Sequence, residues 1–572
     1  MPMRGLLPVW LRDYRRSDLT SDVSAGVTVG VLLVPQGMAY AALAGMPPIT
    51  GLYAALASLV IYAFVGSSSH LNYGPVALIA LLTASAVGPL AGGDPARFAV
   101  LAGALAVIVG VLHVVLGLLR AGAVVDLIAH PVIVGFTAAA GLVIGLTQGR
   151  DLLGVDIARS ERALDAVTAI VRGLPTLHPL TTTVGVGAVI ALLGLRRVRL
   201  PVPPAFVVVV VGVALALAFD LVGRGVRVVG DIPSGLPVPG LPIVGLDDLV
   251  MLVPLAGVIA LVSFAESIAI GKSIAGRTRE TLQSNRELVA SGVANVASGT
   301  FGGFPVAGSF TRSFLAYSSG GRTPLSGLVA ALLVALTLTL LTPVLEPLPR
   351  PVLAAIVVVT VIGLVDVAEA RRVVRTDRRD GVVLAVTFVA TLLLGIEPGL
   401  AVGVAFNLLA HVVSGMQPDL VVLGRIPGTA EYRNVERQTC ISPEDGLILR
   451  LDGPLDFLSA RAFGTRVRRL VADRPEVRWI VLNCAAITRL DSTGLHVLAD
   501  LREQMAAAGI DLRFATMRGR LRETIARAGH ADDLLVGVAH GSIGEALRAL
   551  GLPDDDPLCV PTDGETRPDT WF

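Results

Sequence analysis

Apolar residues run through the first three quarters of the chain in stretches long enough to cross a membrane. Uncharged stretches cover residues 23–93, 127–149, 323–345 and 398–418. A membrane-spanning helix needs about 20 predominantly apolar residues. The pattern therefore predicts a polytopic α-helical membrane protein.

Charged residues and Gly/Pro breaks divide this region into fourteen predicted spans. They are expected near 23–45, 47–66, 74–90, 98–118, 123–148, 179–195, 201–220, 251–273, 286–303, 308–319, 323–345, 350–367, 380–395 and 398–415. The spans at 74–90 and 308–319 are unusually short, and each is the third span of a seven-span half. Short, Gly/Pro-interrupted segments at matching places in two halves indicate inverted repeats around a central site.

After Asp419 the charge density rises, and apolar strands alternate with amphipathic helical stretches, which indicates a small α/β domain. Strands are predicted at 447–451, 477–484 and 511–515, and helices at 460–472, 493–506, 520–528 and 542–550. The predicted organisation is a cytoplasmic N-terminal segment (1–22), a transmembrane domain (23–416), a linker (417–430), the α/β domain (431–552) and a disordered tail (553–572).

Composition removes several classes of function. Hydrophobic residues make up 53% of the chain and charged residues 16%, which excludes an ordinary soluble enzyme. The formal net charge of +1 gives no indication of a nucleic-acid partner. The three cysteines show no paired or metal-ligand spacing, and nucleotide-binding and hydrolase motifs are absent, so we expect no disulfide framework, metal, cofactor or enzymatic activity.

Basic residues collect near the termini and in alternate connections between the predicted spans. The positive-inside rule then predicts a multi-pass protein of the cell (inner or plasma) membrane with both termini in the cytoplasm. Three histidines, His70, His113 and His130, fall near predicted span ends, and we expect them to be interfacial residues.

The two short spans begin with Gly74-Pro75-Val76-Ala77 and with Gly308-Ser309-Phe310-Thr311-Arg312. A half-helix that starts inside the bilayer presents free N–H groups and the positive end of its dipole. Two such ends facing each other would bind a small anion. The alternative is that the glycines and prolines only permit close helix packing.

Two charged residues inside predicted spans, Glu266 and Arg312, are candidates for the chemistry of transport. Glu266 is costly there in its ionised form, so we expect it to couple transport to protons or another ion, the alternative being a structural hydrogen bond. Arg312 lies just inside the tenth span, where its charge would add to the helix dipole and attract an anion. Alternatively, it balances Glu266 or caps a loop.

Several ordered motifs resemble those of the SulP (sulfate permease, solute carrier 26) family of anion transporters. They occupy residues 35–41, 48–55, 66–70, 74–77, 265–272, 295–299 and 302–313. The resemblance implies an all-α membrane domain of fourteen spans in a 7+7 inverted repeat, with a core domain that moves against a gate domain by alternating access, and usually a homodimer. Thr50 stands where the family pattern would have a tyrosine.

The resemblance also implies a set of site residues. Gln36 and Tyr40, one helical turn apart, would donate an amide N–H and a phenolic O–H to an oxyanion, although Tyr40 could instead be an interfacial aromatic. The substrate would further contact Val76, Ala77, Ser309, Phe310, Thr311 and Arg312. Glu266 matches the proposed proton site of proton-coupled members, and Ile270 one turn later cannot ligate sodium.

These observations predict a secondary active transporter, not an enzyme, that takes up sulfate with protons. Bicarbonate, chloride exchange and dicarboxylates stay open as substrates, because dipoles and hydroxyls recognise negative charge more surely than shape. A nucleobase transporter of the same architecture is a competitor, but that family carries an acidic residue on the tenth span, where this chain has Arg312.

The C-terminal domain resembles a STAS domain, which this transporter family shares with bacterial anti-sigma-factor antagonists. Thr493, in Asp491-Ser492-Thr493-Gly494-Leu495, matches the phosphoacceptor position of the antagonists, whereas helix capping is the simpler explanation for this motif. A cytoplasmic protein partner is therefore a candidate ligand of this domain. A membrane-tethered regulator acting through it is the alternative function of a different class.

Overall fold

The structure, a computed structural model, describes residues 9–12, 14–122, 129–155, 162–198 and 202–552. Contacts divide the chain into two units, Met1–Asn407 and Leu408–Phe572, which are described separately. The predicted tail at 553–572, the start of the fifth predicted span at 123–128 and most of the first twelve residues of the predicted N-terminal segment lie outside the described residues.

The first unit is built mainly of helices. They are α1 (Val9–Arg12), α2 (Leu19–Ala44), α3 (Pro48–Val65), α4 (Ala77–Ala91), α5 (Pro95–Leu118), α6 (His130–Thr147), α7 (Gly149–Leu153), α8 (Ala163–Gly173), α9 (Pro179–Leu195), α10 (Pro204–Ala218), α11 (Leu246–Thr278), α12 (Ser284–Thr300), α13 (Phe310–Ser318), α14 (Leu325–Leu336), α15 (Thr342–Leu345), α16 (Arg350–Val361), α17 (Val367–Thr376), α18 (Arg378–Leu394) and α19 (Ile396–Gly415), which ends in the second unit. Two short strands, β1 (Tyr73–Gly74) and β2 (Ala307–Gly308), precede α4 and α13.

A helix lies at each of the fourteen positions where the sequence predicts a span. Within the described residues, eight helical stretches are long and apolar enough to cross a membrane: Arg16–Ala44, Pro48–Val65, Pro95–Leu118, His130–Leu153, Leu246–Thr278, Leu325–Leu345, Arg350–Thr376 and Ile396–Gly415. The two expected short spans are indeed short helices, α4 and α13. The count of fourteen membrane crossings stays a prediction.

Local signals in the sequence account for several helix ends. The helix α2 ends at Gly45, which adopts a φ of 87° that a residue with a side chain rarely tolerates. Asp94 begins α5 by accepting a hydrogen bond from the N–H of Ala96 (2.8 Å), and Pro95 follows at the first helical position.

Glycines bring the antiparallel helices α5 and α12 into backbone contact. A Cβ added to Gly110 would lie 2.5 Å from the carbonyl oxygen of Gly292, and one added to Gly292 would lie 2.6 Å from that of Gly110. The same reciprocal approach joins Gly103 to Gly299, one heptad away along both helices. Such close approach strengthens dispersion contacts in a bilayer, where burial of apolar surface gives little driving force.

The second unit contains a six-stranded sheet with the order β4-β3-β5-β6-β7-β8. Its strands are β3 (Leu420–Arg425), β4 (Tyr432–Asn434), β5 (Gly446–Leu451), β6 (Trp479–Asn483), β7 (Asp511–Ala515) and β8 (Ala539–His540). Its helices are α20 (Ala460–Ala472), α21 (Ser492–Ala507), α22 (Gly519–Arg527), α23 (Ala531–Leu534) and α24 (Ile543–Ala549). The strands β5 to β8 are parallel, whereas β3 pairs antiparallel with β4 and β5.

Apolar residues of the parallel strands separate into the two faces of this sheet. Leu449 and Phe514 pack with residues of α20, α21 and α22, while Ile448 and Val481 pack with residues of α24. The strand β3 lies inside the stretch 417–430, for which the sequence predicts a linker; the sheet therefore starts earlier, because Leu420 and Leu423 supply buried side chains to its two cores.

Replacing Gly110 or Gly292 by alanine should destabilise the first unit by about 1–3 kcal/mol, because the added methyl group would press on the facing backbone. Thermal unfolding of the purified protein in detergent measures this. Gly187 of α9 is the matched control, since a Cβ there meets nothing within 4 Å and alanine is the better helix former. Equal thermal stability of all three variants would contradict the proposed close crossing.

Candidate functional site

Two helix N-termini meet in the interior of the first unit. Each of the helices α4 and α13 is preceded by a short non-helical segment, which we call its lead. The two leads pair as the antiparallel strands β1 and β2, with Tyr73 opposite Gly308 and Gly74 opposite Ala307. The backbone N–H of Ser309 also donates to the carbonyl of Asn72 (2.9 Å). The first N–H groups of each helix have no partner within the helix, so both ends carry partial positive charge. The pairing brings those two ends to one place.

Arg312, in the first turn of α13, is fully buried and reaches across to the lead of α4. Its Nε donates to Oδ1 of Asn72 (2.9 Å), and its Nη1 donates to the carbonyl oxygen of Pro75 (2.9 Å). Its Nη2 has no hydrogen-bond partner among the described residues. A Cβ at Gly74 would lie 3.0 Å from Nη2, so glycine leaves room for this nitrogen. The guanidinium group therefore holds the two leads together and keeps one donor available.

Glu266 lies on α11 and is half-buried. Its Oε2 is buried without a hydrogen-bond partner among the described residues. Glu266 and Arg312 are close enough to interact electrostatically. A carboxylate without a bonded partner is costly at this depth, so Glu266 is available to exchange a proton or to contact a mobile ion.

Gln36 and Tyr40 of α2 are buried beside the same region. The side chain of Tyr40 interacts electrostatically with Arg312 and lies near Thr360 of α16. This burial rules out Tyr40 as an interfacial aromatic. Oε1 of Gln36 has no partner among the described residues. The oxygen and nitrogen of a side-chain amide exchange places when the group rotates by half a turn. The unpartnered end of Gln36 can therefore accept or donate a hydrogen bond.

The other predicted site residues lie at the two helix starts. Val76 and Ser309 are the N-cap residues of α4 and α13, and both are buried, as is Ala77. Phe310 and Thr311 are exposed, and the ring of Phe310 stacks on that of Phe314 with centroids 5.9 Å apart. The site therefore borders open space on the side of these two residues.

The long helix α11 has two differently exposed stripes. Near its start the exposed side is apolar or small, with Val250, Pro254 and Gly257. Near its end the exposed or half-buried positions are Glu266, Ala269, Lys272, Ser273, Gly276 and Arg277. At about 100° per residue the second stripe is rotated by roughly a third of a turn from the first. Charged side chains do not face hydrocarbon, so we expect the second stripe, at whose inner end Glu266 lies, to contact water.

Sequence reasoning missed the hydrogen-bond network behind this site. Ser267, next to Glu266, accepts from the N–H of Gly308 (2.9 Å) and donates to the hydroxyl of Tyr73 (3.2 Å) or to the carbonyl of Ser263. The Tyr73 hydroxyl also hydrogen-bonds to Ser291. These contacts fix β1 and β2 against α11 and α12. The sequence around Tyr73 alone gives little sign of such a role, because its partners lie on α11 and α12.

The expectation that His113 is interfacial is wrong. Its side chain is buried in the middle of the packed helices, with Nδ1 at 3.0 Å from Ser291 Oγ and Nε2 at 2.7 Å from the carbonyl oxygen of Ala260. Both ring nitrogens therefore have hydrogen-bond partners, which offsets the cost of burying the histidine. The position in the sequence could not reveal partners contributed by two other helices.

Asn295 of α12 explains one of the motifs noted in the sequence. Its Nδ2 donates to the carbonyl of Val306 (3.1 Å), and its Oδ1 accepts from the N–H of Val306 (2.8 Å). One turn later, Ser298 donates to the carbonyl of Phe304 (2.6 Å). The two side chains thus satisfy backbone groups of the non-helical lead into α13, which would otherwise be unpaired in the interior.

A second buried carboxylate, Glu287, lies in the first turn of α12. It accepts hydrogen bonds from the Tyr62 hydroxyl (2.6 Å) and from the backbone N–H and hydroxyl of Ser67 (2.6 and 2.5 Å). In the sequence, the run of serines that ends at Ser69 was the feature that could have indicated hydrogen-bond donors for a buried acid. Unlike Glu266, Glu287 is fully engaged, which indicates a structural role.

In the second unit, Thr493 is exposed in the first turn of α21. Asp491 caps this helix by accepting from the N–H of Gly494 (2.8 Å), and its other oxygen accepts from the N–H of Phe457 (2.8 Å). The capping role is therefore carried by Asp491, which leaves the hydroxyl of Thr493 at the surface.

The neighbouring Asp456 forms an ion pair with Arg489 (2.5 Å). Burial opposes ionisation of Asp456, but the hydrogen bonds from Arg489 and the backbone N–H of Leu458 outweigh it, so the pKa of Asp456 lies below its ordinary value. This contribution to folding stability is present at neutral pH and is lost as the pH falls through the lowered pKa. Across the described residues, no cluster of His, Cys, Asp and Glu could hold a metal ion.

Comparisons with known proteins agree with this division of the chain. The model of the sulfate permease family matches residues 19–387, and the model of the STAS domain matches residues 432–543. A chloroplastic sulfate transporter 4.1 of Arabidopsis thaliana is 36% identical over 545 residues, which cover 91% of this chain and 79% of the relative. A probable sulfate transporter of Mycobacterium tuberculosis is 35% identical over 92% of this chain and 94% of the relative.

The fold has a solved counterpart. The murine solute carrier 26 family member A9 anion transporter, determined in the inward-facing state, superposes with a TM-score of 0.88 at 24% sequence identity, over 96% of this chain and 94% of that chain. At this identity the likeness concerns the fold, including the presence of a helical membrane domain and a C-terminal α/β domain.

Replacing Arg312 by lysine should weaken anion binding about 10- to 100-fold, because an ammonium group cannot reproduce the two hydrogen bonds to Asn72 and Pro75 and still present a donor to the ligand. Equilibrium binding of labelled anion to the purified protein measures the loss. Arg97→Lys, at an exposed ion pair with Asp248, is the control. Unchanged affinity of the Arg312 variant would contradict the assignment of this residue.

Proposed function

The chain belongs to the sulfate permease family, and we propose that it is a secondary active transporter that moves sulfate together with protons by alternating access. Family membership makes it a multi-pass membrane protein of an anion-transporter family, not an enzyme. Sulfate as the substrate is supported by the names of the relatives, which describe sulfate transporters.

One observation carries the choice of an anion. The unpartnered Nη2 of Arg312 is buried where two helix N-termini meet. A buried cation and two positive dipole ends are costly without a negative partner, and together they favour an oxyanion that accepts several hydrogen bonds. We assign substrate contacts to Gln36, Tyr40, Val76, Ala77, Ser309, Phe310, Thr311 and Arg312.

Proton coupling would follow from the electrostatics of Glu266 and Arg312. When Glu266 is ionised, it offsets part of the positive charge that Arg312 offers to the anion. When Glu266 is protonated, that charge acts on the anion in full. The proton and the anion therefore favour each other's binding, which is the linkage that a symporter requires.

Alternating access is supported by how the helices of the first unit group. The helices α2, α3, α5, α11, α12 and α14 pack mainly with one another, and α6, α9, α16 and α18 form further contacts among themselves. A cavity of about 340 Å³ lies between Ala39 and Ala42 of α2 and Leu353 and Ala354 of α16. We infer that the first group moves as the core and the second serves as the gate.

The remaining assignments are proposals of the same kind. We place the protein in the cell membrane with both termini in the cytoplasm, on the distribution of its basic residues, and we propose a homodimer because the family resemblance implies one. The proposed domains are the transport domain 23–416 and the STAS domain 431–552, with β3 from the preceding stretch 417–430 adding a strand to the sheet. Thr493 is proposed as a phosphoacceptor that would control binding of a cytoplasmic partner, supported by its exposure at a helix start.

Labelled-sulfate uptake into proteoliposomes tests the proposed function. An inward proton gradient should drive accumulation of sulfate above its equilibrium level, because no motif for ATP use is present in the sequence. Bicarbonate, chloride and fumarate serve as competitors, and sodium as the alternative co-ion. Sodium-stimulated bicarbonate or dicarboxylate flux without sulfate flux would overturn the substrate and the coupling ion while leaving the anion site intact.

Glu266→Gln should abolish the acceleration by a proton gradient and leave anion binding largely intact, because the amide resembles the protonated acid but cannot release a proton. Sulfate flux with and without the gradient, together with equilibrium binding, measures this. Glu287→Gln is the matched control at a buried carboxylate engaged by Tyr62 and Ser67, and should keep the pH dependence. Undiminished gradient stimulation in the Glu266 variant would refute the coupling role.

A further inference from the structure

The amphipathic helix α17 is outside the anion site and has no part in the proposed transport cycle. The chain reaches it from the helical stretch of α16, which continues to Leu364, and leaves it directly into α18. The stretch Arg350–Thr376, which includes α17 itself, meets the length and hydropathy of a membrane span, and both α16 and α18 lie at predicted spans. We therefore expect α17 to be held near the surface of the membrane at both ends.

One side of α17 packs on the protein and the other side is uncovered. Val373 is buried, and the helix contacts α6 and α18. About a third of a turn around the helix from Val373, Val367 and Val374 are 53% and 48% exposed. Apolar side chains that protrude from a helix lying along a membrane surface insert at the boundary between headgroups and acyl chains.

Five arginines occur within nine residues of this segment: Arg371, Arg372, Arg375, Arg378 and Arg379. The acidic residues around them are mostly engaged. Glu369 pairs with Arg372 (3.0 Å) and His130 (3.0 Å), and Asp366 and Asp377 cap the starts of α17 and α18 by accepting backbone N–H groups. Asp380, in the first turn of α18, is half-buried.

Three of these exposed arginines stand apart from the other two because they form no ion pair in the part of the chain that the structure describes. Arg371, Arg375 and Arg378 have no acidic partner within 4 Å among the described residues. Arg371 and Arg375 are one turn apart, so they project from the same side of α17, adjacent to Val374. Exposed guanidinium groups thus lie beside the exposed valines. This arrangement suits the surface of a bilayer, where headgroup phosphates lie above the apolar acyl chains.

We propose that Arg371, Arg375 and Arg378, together with Val367 and Val374, form a binding surface for anionic phospholipids. The guanidinium groups hold headgroup phosphates in bidentate hydrogen bonds, and the valines contact the upper part of the acyl chains. A lipid is favoured over a soluble phosphate because the apolar half of the surface contributes to binding only when acyl chains are present. The surface would anchor the connection between α16 and α18 at the membrane.

Native mass spectrometry of the full-length protein in detergent, titrated with phosphatidylglycerol or phosphatidylcholine, tests this proposal independently of transport. Phosphatidylglycerol should bind in preference to phosphatidylcholine. The triple variant R371Q/R375Q/R378Q should bind phosphatidylglycerol roughly a hundredfold more weakly, about fivefold for each arginine removed. The variant R371K/R375K/R378K should keep part of the binding, since it retains the charge.

The matched control is R461Q/R466Q/R520Q, which removes the same charge from exposed positions of α20 and α22 in the second unit and should leave lipid binding unchanged. Thermal stability of each variant identifies any that fail to fold. Full retention of phosphatidylglycerol by the triple glutamine variant would overturn the proposal. Displacement of the lipid by an equal concentration of glycerol 3-phosphate would do so as well, because it would identify a site for free phosphate.

Discussion

The architecture of the first unit depends on burying a guanidinium group at the junction of two interrupted helices. Arg312 is contributed by α13 and is bonded to the lead of α4 through Asn72 and Pro75. Leaving a charge inside the unit is unfavourable unless it is neutralised and hydrogen-bonded. Two of its three nitrogens donate to the protein, and the third has no hydrogen-bond partner among the described residues. This buried donor, at the junction of two positive helix ends, is the physical basis on which an anion is proposed as the ligand.

The surroundings of Arg312 are organised to hold non-helical backbone inside a membrane. Such backbone is tolerated only where the protein satisfies its polar groups. The pairing of β1 with β2, the amide of Asn295 and the hydroxyls of Ser267 and Ser298 perform this function. The glycine contacts between α5 and α12 bring the supporting helices to backbone distance. These contacts make the two leads one rigid element, so an ion bound between them would move with that element during access to either side.

Two carboxylates, the buried Glu287 and the half-buried Glu266, show how environment separates a structural group from the proposed coupling group. Glu287 accepts three hydrogen bonds and is enclosed. Glu266 has an oxygen without a partner among the described residues and lies at the inner end of the polar stripe of α11. The same functional group is thus fixed in one place, whereas in the other it keeps an oxygen that the protein does not engage. Sequence position did not distinguish them, because the donors to Glu287 come from Tyr62 and Ser67, more than two hundred residues away.

Periodicity, charge and motif order were sufficient to predict the helical membrane domain, the α/β domain after it and the two short helices, because these follow from local patterns of apolar residues and Gly/Pro breaks. The residues of the anion site could be named from the same motifs. Their arrangement was decided by tertiary structure: which nitrogen of Arg312 is unpartnered, that His113 is buried with both ring nitrogens bonded, and that β3 joins the sheet from a stretch predicted as a linker. Each of these depends on a partner distant in sequence. The pattern of one segment specifies its own conformation, whereas hydrogen-bond satisfaction in the interior is settled only when the segments pack together.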